Sequence, residues 1–338
     1  MLDNRATMYV ISGVTGMTGS ELVRQLITTE EKSYILGFDN FFASSIETVK
    51  DFYTNERFEF YEFDLNCVSQ MEIIKKRVFE LKSFYKELVY INCAAVVHTE
   101  YFYNINQTLE TNVIGMRSFL EQAIEVEAQK FINCSTSEVY SMNSWNEKGG
   151  VKENDYILLS HVEHSQRTSY ATGKLLTEFL MRDAVLNGKI KGCSIRFANV
   201  YSKNERFAKH IIPYIINSLK ENGTVVLLEN SKINRRTFLY NYDSCSAVLA
   251  LIRATDALDG SAYNVSTDEE VTIVQLVKMI ADKMKIEKPI IYFSGYRESD
   301  PERRLLSTEK LRMRTKWKPN YNLSKGLDEC LEYYLKKR

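Results

Sequence analysis

The chain has 338 residues, which is long for a single hydrophobic core and predicts one large α/β domain or two lobes. Its 44 basic and 44 acidic residues balance, so the sequence provides no overall charge for binding nucleic acid or an anionic membrane. Its six cysteines are scattered without a Cys-x-x-Cys spacing, which favours buried thiols in a reducing cytosol over a disulfide framework or a zinc site.

Short β-rich runs alternate with amphipathic helical patterns through the first two thirds of the chain. Strands are predicted at residues 8–12, 34–38, 58–63, 89–93, 130–134 and 192–197, and helices at 19–29, 71–84, 108–125 and 169–186. Strands that alternate with helices predict parallel βαβ units, so we expect a Rossmann-like, doubly wound α/β fold. In such a sheet, ligands bind beyond the carboxyl ends of the strands.

The pattern changes near residue 198 to a mixed region with predicted helices at 211–221 and 273–285. We expect residues 1–198, joined by 236–256, to form the Rossmann-like domain. Residues 199–235 and 257–338 would then form a smaller mixed α/β lobe that binds the substrate.

A glycine-rich loop, Gly13-Val-Thr-Gly16-Met-Thr-Gly19, lies between the first predicted strand and the first predicted helix. Glycines there permit a tight turn and a close backbone approach, so that a pyrophosphate can lie at the helix N-terminus. Asp39 ends the second strand, 20 residues after Gly19. A carboxylate at that position can accept from both ribose hydroxyls and repels a 2′-phosphate, which predicts NAD rather than NADP.

Two further segments follow predicted strands at the same edge of the sheet. Asp64 and Leu65 come after the third strand and could meet an adenine, although Asp64 could equally cap the next helix. Cys93, Ala94 and Ala95 come after the fourth strand, where small residues would let the backbone pass close to a cofactor.

Tyr170 and Lys174 are four residues apart in a predicted helix and therefore share a face. A free tyrosine has a pKa of roughly 10, and a neighbouring Lys⁺ is expected to pull that pKa toward neutrality. Such a tyrosine could take a proton from a sugar hydroxyl while a hydride leaves the same carbon. Taken alone, the pair could also be two exposed helical side chains.

Further motifs occur in chain order around this pair. They are Thr111-Asn112-Val-Ile-Gly115, Cys134-Ser-Thr-Ser-Glu-Val-Tyr140, Arg196-Phe-Ala-Asn199-Val-Tyr201, Arg236-Thr-Phe-Leu-Tyr240, Arg297-Glu-Ser-Asp300 and Trp317-Lys-Pro319. With the glycine loop, they resemble the extended short-chain dehydrogenase/reductase family, and more narrowly its NAD-dependent nucleotide-sugar epimerases and dehydratases. The sequence departs from the family pattern at Asn92, Ser141, Ser202 and 241–243, which bears on loop geometry and sugar specificity.

The resemblance implies NAD as the cofactor and a nucleotide-diphosphate sugar as the substrate. The implied cofactor-binding residues are Gly13, Thr15, Gly16, Met17, Asp39, Asn40, Asp64, Leu65, Ala94, Ala95, Asn112, Tyr170 and Lys174. The implied substrate-binding residues are Thr136, Ser137, Asn199, Arg236 and Arg297. The two arginines would bind the diphosphate by charge-assisted hydrogen bonds, and the nearby Arg235, Arg303 and Arg304 are not assigned a role.

The implied catalytic residues are Thr136, Glu138, Tyr170 and Lys174. Thr136 would donate to the 4-oxygen of the sugar and pass its proton toward Tyr170 while NAD⁺ accepts the hydride from C4. The resulting ketone acidifies the C5–H bond, and Glu138 is the candidate base. A pure 4-epimerase needs no carboxylate there, so Glu138 favours a 4,6-dehydratase, which eliminates water across C5–C6 and returns the hydride to C6.

Other reactions are alternatives: 4-epimerisation, a simple dehydrogenation at C4, or decarboxylation of a 6-carboxylated sugar. The Thr-Ser-Glu-Val-Tyr motif occurs in the decarboxylase branch too, and Arg167 could pair with a substrate carboxylate. Ser137 stands in place of the aspartate of many sugar dehydratases and is a poor proton donor. A catalytically silent NAD sensor would be expected to lack Tyr170 or Lys174, and both are present.

No metal site is expected, because His161 and His164 lie in a polar, loop-like stretch without carboxylates in ligand spacing. Residues 1–7 do not resemble a signal peptide, and no apolar run approaches the ~20 residues that span a bilayer. A cytoplasmic protein is therefore expected. The predicted helices 108–125 and 169–186 resemble the pair that forms a four-helix dimer interface in the family, which implies a homodimer.

Overall fold

The structure, a computed structural model, describes residues 7–97, 104–141, 149–160, 166–205, 207–298 and 300–336. His161 and His164 lie outside these residues, as does the side chain of Arg167, so the interpretations given for them stay predictions.

The strands and helices alternate through the first half of the chain. The strands are β1 (Thr7–Ser12), β2 (Tyr34–Asp39), β3 (Phe58–Glu62), β4 (Glu87–Asn92), β5 (Lys130–Thr136), β6 (Lys191–Phe197), β7 (Val200–Tyr201), β8 (Thr224–Leu227), β9 (Arg235–Thr237), β10 (Leu239–Tyr240), β11 (Asp259–Val265), β12 (Glu270–Thr272), β13 (Ile290–Phe293) and β14 (Arg303–Arg304). The α-helices are α1 (Met17–Thr29), α2 (Val68–Leu81), α3 (Ile105–Leu109), α4 (Met116–Glu125), α5 (Gln166–Leu186), α6 (Ile211–Asn222), α7 (Asn241–Arg253), α8 (Ile273–Lys283), α9 (Glu309–Thr315) and α10 (Leu323–Lys336).

Seven of the strands form one parallel sheet in the order β11-β6-β5-β4-β1-β2-β3. All six residues of β1 are buried, as expected for a strand covered by helices on both faces. Apolar residues of α1 and α7 pack on one face, and those of α2, α4 and α5 pack on the other. The predicted Rossmann-like fold is confirmed. The strand order reverses between β1 and β4, where this fold binds ligands.

One predicted helix is interrupted. In place of a continuous helix over 108–125, α3 is followed by a π-helical turn at Glu110–Gly115 and then by α4. Within this turn the buried amide of Asn112 bonds to both the N–H and the carbonyl of Val96, at 2.7 and 3.1 Å. A π-helical turn holds one residue more than an α-helical turn, and here it coincides with this tertiary contact. The apolar periodicity of the sequence does not reveal the π-helical turn.

The predicted assignment of residues 257–338 to the second lobe is wrong in part, because β11 pairs with β6 as an edge strand of the main sheet. Leu311 and Trp317 also pack into the core of the first lobe, beside α7. The β11 sequence, Asp-Gly-Ser-Ala-Tyr-Asn-Val, lacks the continuous apolar run of strands such as β1 and β4, so its burial is a result of pairing and not of a local signal.

The second lobe has its own apolar core, formed by residues of α6, α8 and α10 with Val225 and Leu227 of β8. Its sheets are small: β12-β9-β14 and β13-β8, while β10 pairs with β7 beside the first lobe. In the described part of the chain, no helix is long and apolar enough to cross a membrane.

Candidate active site

A cavity of about 1030 Å³ opens at the carboxyl ends of the parallel strands, and residues of both lobes line it. One end is formed by the glycine loop and the ends of β2, β3 and β4. The other end is formed by the end of β5, the start of α6 and the segments that carry β9 and β14.

The glycine loop requires glycine for reasons of space. Gly13 has a φ of +66°, and a Cβ atom there would lie 2.6 Å from the amide nitrogen of Ala94. A Cβ atom on Gly19 would lie 2.3 Å from the carbonyl oxygen of Gly13. Helix α1 begins at Met17 with no acidic residue in its first turn, so its free N–H groups and dipole favour an anion at this end of the cavity.

Asp39 ties the end of β2 to the glycine loop. Its carboxylate accepts from the N–H of Thr15 at 3.1 Å, the N–H of Phe41 at 2.9 Å and the hydroxyl of Ser44 at 3.1 Å. The side chain also lines the cavity, as the sequence prediction requires. It therefore positions the loop as well as offering oxygen atoms to a ligand.

The remaining predicted cofactor residues are brought together, with one exception. Asn40 donates to Asp64 at 3.0 Å, and both line the cavity. The other predicted residues on the cavity wall are Thr15, Gly16, Met17, Leu65, Ala94 and Ala95. Among the described residues, Asn112 is not one that lines the cavity, because its buried amide faces the backbone of Val96. Its predicted part in cofactor binding stays a prediction, and its contact with the cavity wall is through the backbone of Val96.

Thr136, Tyr170 and Lys174 meet at the centre of the cavity wall. Thr136 ends β5 and forms a hydrogen bond with the Tyr170 hydroxyl, while its oxygen accepts from the N–H of Glu138 at 3.2 Å. Burial and the nearby Glu138 charge raise the pKa of Tyr170, and the bond from Thr136 only partly opposes them. The expectation that Lys174 brings the pKa of Tyr170 toward neutrality is thus wrong for this arrangement, because desolvation of the phenolate prevails.

Lys174 is almost fully buried, with 2% of its surface exposed. Its Nζ donates to the carbonyl oxygen of Cys134 at 2.9 Å. Burial lowers the pKa of Lys174 to about 8, so the side chain is cationic at neutral pH and loses its charge in mildly alkaline solution.

Arg304 is a site residue that the sequence interpretation missed. Its guanidinium, 2% exposed, forms an ion pair with the carboxylate of Glu138 and lines the cavity. Among the described residues, its Nε has no hydrogen-bond partner. The two residues are 166 positions apart, so only tertiary folding reveals the pair.

The two predicted arginines lie on the wall of the second lobe. Arg236 is buried and pairs with Asp300 at 3.0 Å. Arg297 is exposed, and its backbone is held at both N–H and carbonyl by Asn230, at 2.8 and 2.9 Å. Asn199 and Ser137 also line the cavity, as predicted.

A buried polar network supports the catalytic strand end. Arg196 of β6 bonds to Glu178 of α5 at 2.7 Å and to the Tyr140 hydroxyl at 2.8 Å. Glu178 also accepts from Ser135 at 2.6 Å, and Tyr140 donates to Asn264 of β11 at 2.8 Å. Because each partner is buried and paired, the network fixes the strand end that carries the predicted catalytic residues Thr136 and Glu138.

Comparisons with known proteins agree with this geometry. A sequence model of the NAD dependent epimerase/dehydratase family matches residues 9–266. The chain is 25% identical over 340 residues to the dTDP-D-glucose 4,6-dehydratase of Mus musculus, covering 98% of this chain and 89% of that protein. It is 24% identical over 331 residues to the UDP-glucuronic acid decarboxylase 1 of Danio rerio, covering 96% and 72%.

Among solved structures, the fold is similar to that of the UDP-glucuronic acid 4-epimerase of Bacillus cereus in complex with UDP-glucuronic acid and NAD. The TM-score is 0.84 at 20% identity, over 98% of this chain and 100% of that one, a likeness of fold alone. The three names denote dehydration, decarboxylation and epimerisation, so the comparisons leave the choice among these reactions to the chemistry of the site.

Proposed function

The chain belongs to the NAD-dependent epimerase/dehydratase family, and we propose that it modifies a nucleotide-diphosphate sugar through a 4-keto intermediate, with 4,6-dehydration as the overall reaction. The observation that carries this proposal is the Glu138 carboxylate in the cavity, close enough to Tyr170 to raise its pKa. A carboxylate beside the oxidising residues serves proton removal next to a ketone, which a simple epimerase does not require.

The residues of the first lobe fit NAD. When bound, NAD would supply the hydride acceptor and donor. The space beside Gly13, from which a Cβ atom is excluded, and the N-terminus of α1 suit a pyrophosphate. Asp39 offers carboxylate oxygens to the ribose hydroxyls, and the buried Lys174 offers a cation at neutral pH.

Proton transfer in the first half of the reaction is assigned to Thr136 and Tyr170. The proton of the C4 hydroxyl would pass along their hydrogen bond to Tyr170 as the ketone forms. To accept that proton Tyr170 must first be a phenolate, a form that the Lys174 ammonium and the charge of bound NAD⁺ would favour. The phenol formed in this step would return its proton in the reduction that ends the cycle.

Glu138 is assigned to the middle of the reaction. The 4-ketone acidifies the C5–H bond, and Glu138 would take that proton as water leaves across C5–C6. Its ion pair with Arg304 holds the carboxylate at the cavity wall.

Decarboxylation of a 6-carboxylated sugar is a second candidate, favoured by a different observation. Arg304 is a cation on the cavity wall, and its guanidinium could bind a substrate carboxylate. Dehydration calls for an acid that protonates the leaving hydroxyl, and Ser137, which directly precedes Glu138, is a weak proton donor. Decarboxylation does not need such an acid.

A panel of UDP-, GDP-, CDP- and dTDP-sugars, followed by mass spectrometry, separates the reactions. Loss of one water indicates dehydration, loss of carbon dioxide indicates decarboxylation, and an unchanged mass with an altered retention time indicates epimerisation. Net accumulation of NADH would instead indicate a dehydrogenase, and no turnover of any member would contradict the proposal.

Glu138→Gln tests the residue that carries the proposal. The amide cannot accept the C5 proton, so we expect product formation to fall by about 10²-fold or more while transient NADH absorbance persists. Full conversion by this variant would favour 4-epimerisation, since that reaction needs only oxidation and reduction at C4.

We also propose a homodimer. Helices α3 and α5 contact each other and expose Ile105, Leu109, Leu176 and Phe179, which supports an apolar interface between copies. Sedimentation of the protein and of a Phe179→Glu variant tests this, with a monomeric wild type as the contradicting result.

A further inference from the structure

Two cysteine thiols face each other on the cavity wall. Cys93 directly follows β4, Cys134 lies in β5, and their sulfur atoms are 3.7 Å apart. The preceding residues, Asn92 and Asn133, are register partners in the parallel sheet. Both cysteines are half-buried, neither is in a disulfide, and both line the cavity. No role in the proposed reaction uses them.

We propose that Cys93 and Cys134 form a redox-sensitive dithiol site, which a small disulfide entering the cavity converts into a Cys93–Cys134 disulfide. The Cys134 sulfur would attack the disulfide R–S–S–R, forming a mixed disulfide and releasing one R–SH. The Cys93 sulfur would then displace the second R–SH. Two thiols of the protein are oxidised, and one small disulfide is reduced to two thiols, which carry off both protons.

The backbone permits this bond. Neighbouring strands in a sheet are about 4.8 Å apart, which lies within the Cα separation range of disulfides. The sulfur atoms must approach from 3.7 Å to about 2.05 Å, so closure needs a side-chain adjustment and a small shift of the strand ends.

That shift would act on two contacts of the first lobe, one at the glycine loop and one at Lys174. The amide nitrogen of Ala94, next to Cys93, is the atom against which Gly13 fits without a Cβ. The carbonyl oxygen of Cys134 is the acceptor of the Lys174 ammonium. Displacing either contact is expected to weaken NAD binding, and misplacements of about 1 Å cost about 10²-fold in rate.

The surroundings set the pH dependence of closure. The contact with Cys134, burial and the nearby Cys245 raise the pKa of Cys93, and the Lys174 cation opposes them only in part. Cys93 is therefore a thiol at neutral pH. Because the thiolate is the nucleophile, closure should be slow at neutral pH and faster as pH rises. NAD should slow it, because bound cofactor would occupy the cavity from which the reagent enters.

The test exposes the protein to bis(2-hydroxyethyl) disulfide, with and without added NAD, followed by intact-mass and peptide analysis. A reactive thiol such as Cys67 can carry the reagent as a mixed disulfide, so the expected product is identified by its Cys93–Cys134 cross-link, formed with loss of the two hydrogen atoms of these two thiols. Dithiothreitol should restore both. The NAD dissociation constant of the closed form, measured by calorimetry, should rise by about tenfold or more.

Three single variants distinguish this pair from the other thiols. Cys93→Ser and Cys134→Ser should each fail to lose two hydrogen atoms, whereas Cys67→Ser should close like the wild type. Cys67 is the matched control, because it lies at the start of α2 and its bond with Ser69 lowers its pKa, making it the more reactive thiol. Each NAD affinity is compared with that of the same variant before treatment.

A cross-link that persists in Cys93→Ser, or no Cys93–Cys134 cross-link after prolonged exposure above neutral pH, would overturn the inference. Formation of the disulfide without a change in NAD affinity would contradict the inferred effect of the disulfide on the cavity. None of these readouts uses a sugar substrate, so a failure here is distinguishable from a failure of the proposed dehydration.

Discussion

The cofactor end and the substrate end of the cavity differ in the kind of atoms that form their walls. At the cofactor end, backbone and small side chains form the wall, as at Gly13, Gly19 and Ala94. At the substrate end, long charged side chains from distant segments form it, as with Glu138 and Arg304. A wall formed by backbone atoms keeps its shape when side chains change, and so it accepts one shape of ligand. A wall formed by charged side chains changes its ligand preference with a few substitutions. The difference indicates why one cofactor serves relatives that act on different sugars.

The largest expected effect lies where the two ends meet. Tyr170→Phe removes the group that takes the sugar proton and should lower turnover by about 10³-fold. NAD affinity, measured by calorimetry, should stay within about twofold, because Tyr170 serves proton transfer more than cofactor binding. The exposed Tyr156 provides the control Tyr156→Phe, which should leave both quantities unchanged. A parallel loss of NAD affinity would place Tyr170 with the cofactor end.

Gly13→Ala tests the cofactor end itself. The added Cβ would lie 2.6 Å from backbone in a positive-φ residue, so we expect NAD affinity to fall by about 10²-fold. Gly188→Ala is the matched control: its φ is also positive, at +68°, but nothing lies within 4 Å of the added atom. If both variants bind NAD normally, the cofactor end does not depend on close backbone approach.

Arg304→Met tests the substrate end. Removing the guanidinium leaves the Glu138 carboxylate without its buried partner, which should slow product formation by about tenfold and leave NAD affinity unchanged. Arg303→Met is the control, because the neighbouring Arg303 pairs with Glu270 and does not line the cavity among the described residues. Equal rates for the two variants would contradict a special role for Arg304.

The last prediction concerns stability and not activity: the free energy of unfolding should depend on pH through Lys174. Burial lowers the pKa of Lys174 from 10.5 to about 8, so between these values the unfolded chain binds a proton that the folded protein does not. The free energy of unfolding should therefore rise through this window, relative to Lys174→Met, by up to about 3 kcal/mol. Urea unfolding across the window measures it, with exposed Lys189→Met as the control. If the difference in unfolding free energy between the wild type and Lys174→Met does not change with pH, Lys174 has the same pKa in the folded and the unfolded protein.

Local patterns of the sequence predicted the Rossmann-like sheet, whereas the cofactor roles of individual residues stay predictions. The alternation of strands and helices, the glycine loop and the acidic residue after β2 all depend on neighbours in the chain. The lack of space for a side chain at Gly13 and the end of a buried strand at Asp39 are both visible in the residue types of a few neighbouring positions. The parallel sheet and the meeting of Tyr170 with Thr136 follow from the same signals.

Long-range contacts account for what the sequence did not reveal. The pairing of Arg304 with Glu138 joins two segments that no local pattern relates. Asn112 serves the wall through the backbone of Val96, which a motif cannot distinguish from a direct contact. The pKa of Tyr170 depends on burial, and burial is a property of the folded chain that outweighs the charge four residues away.

The position of β11 at the sheet edge has a consequence for synthesis on the ribosome. Its partner β6 emerges first, followed by the segments that build much of the second lobe, and only then by the strand that covers it. Until Asp259–Val265 arrives, the buried residues of β6 present an unpaired edge, the kind of surface that joins other chains. The first lobe therefore cannot complete its sheet before most of the chain has been made.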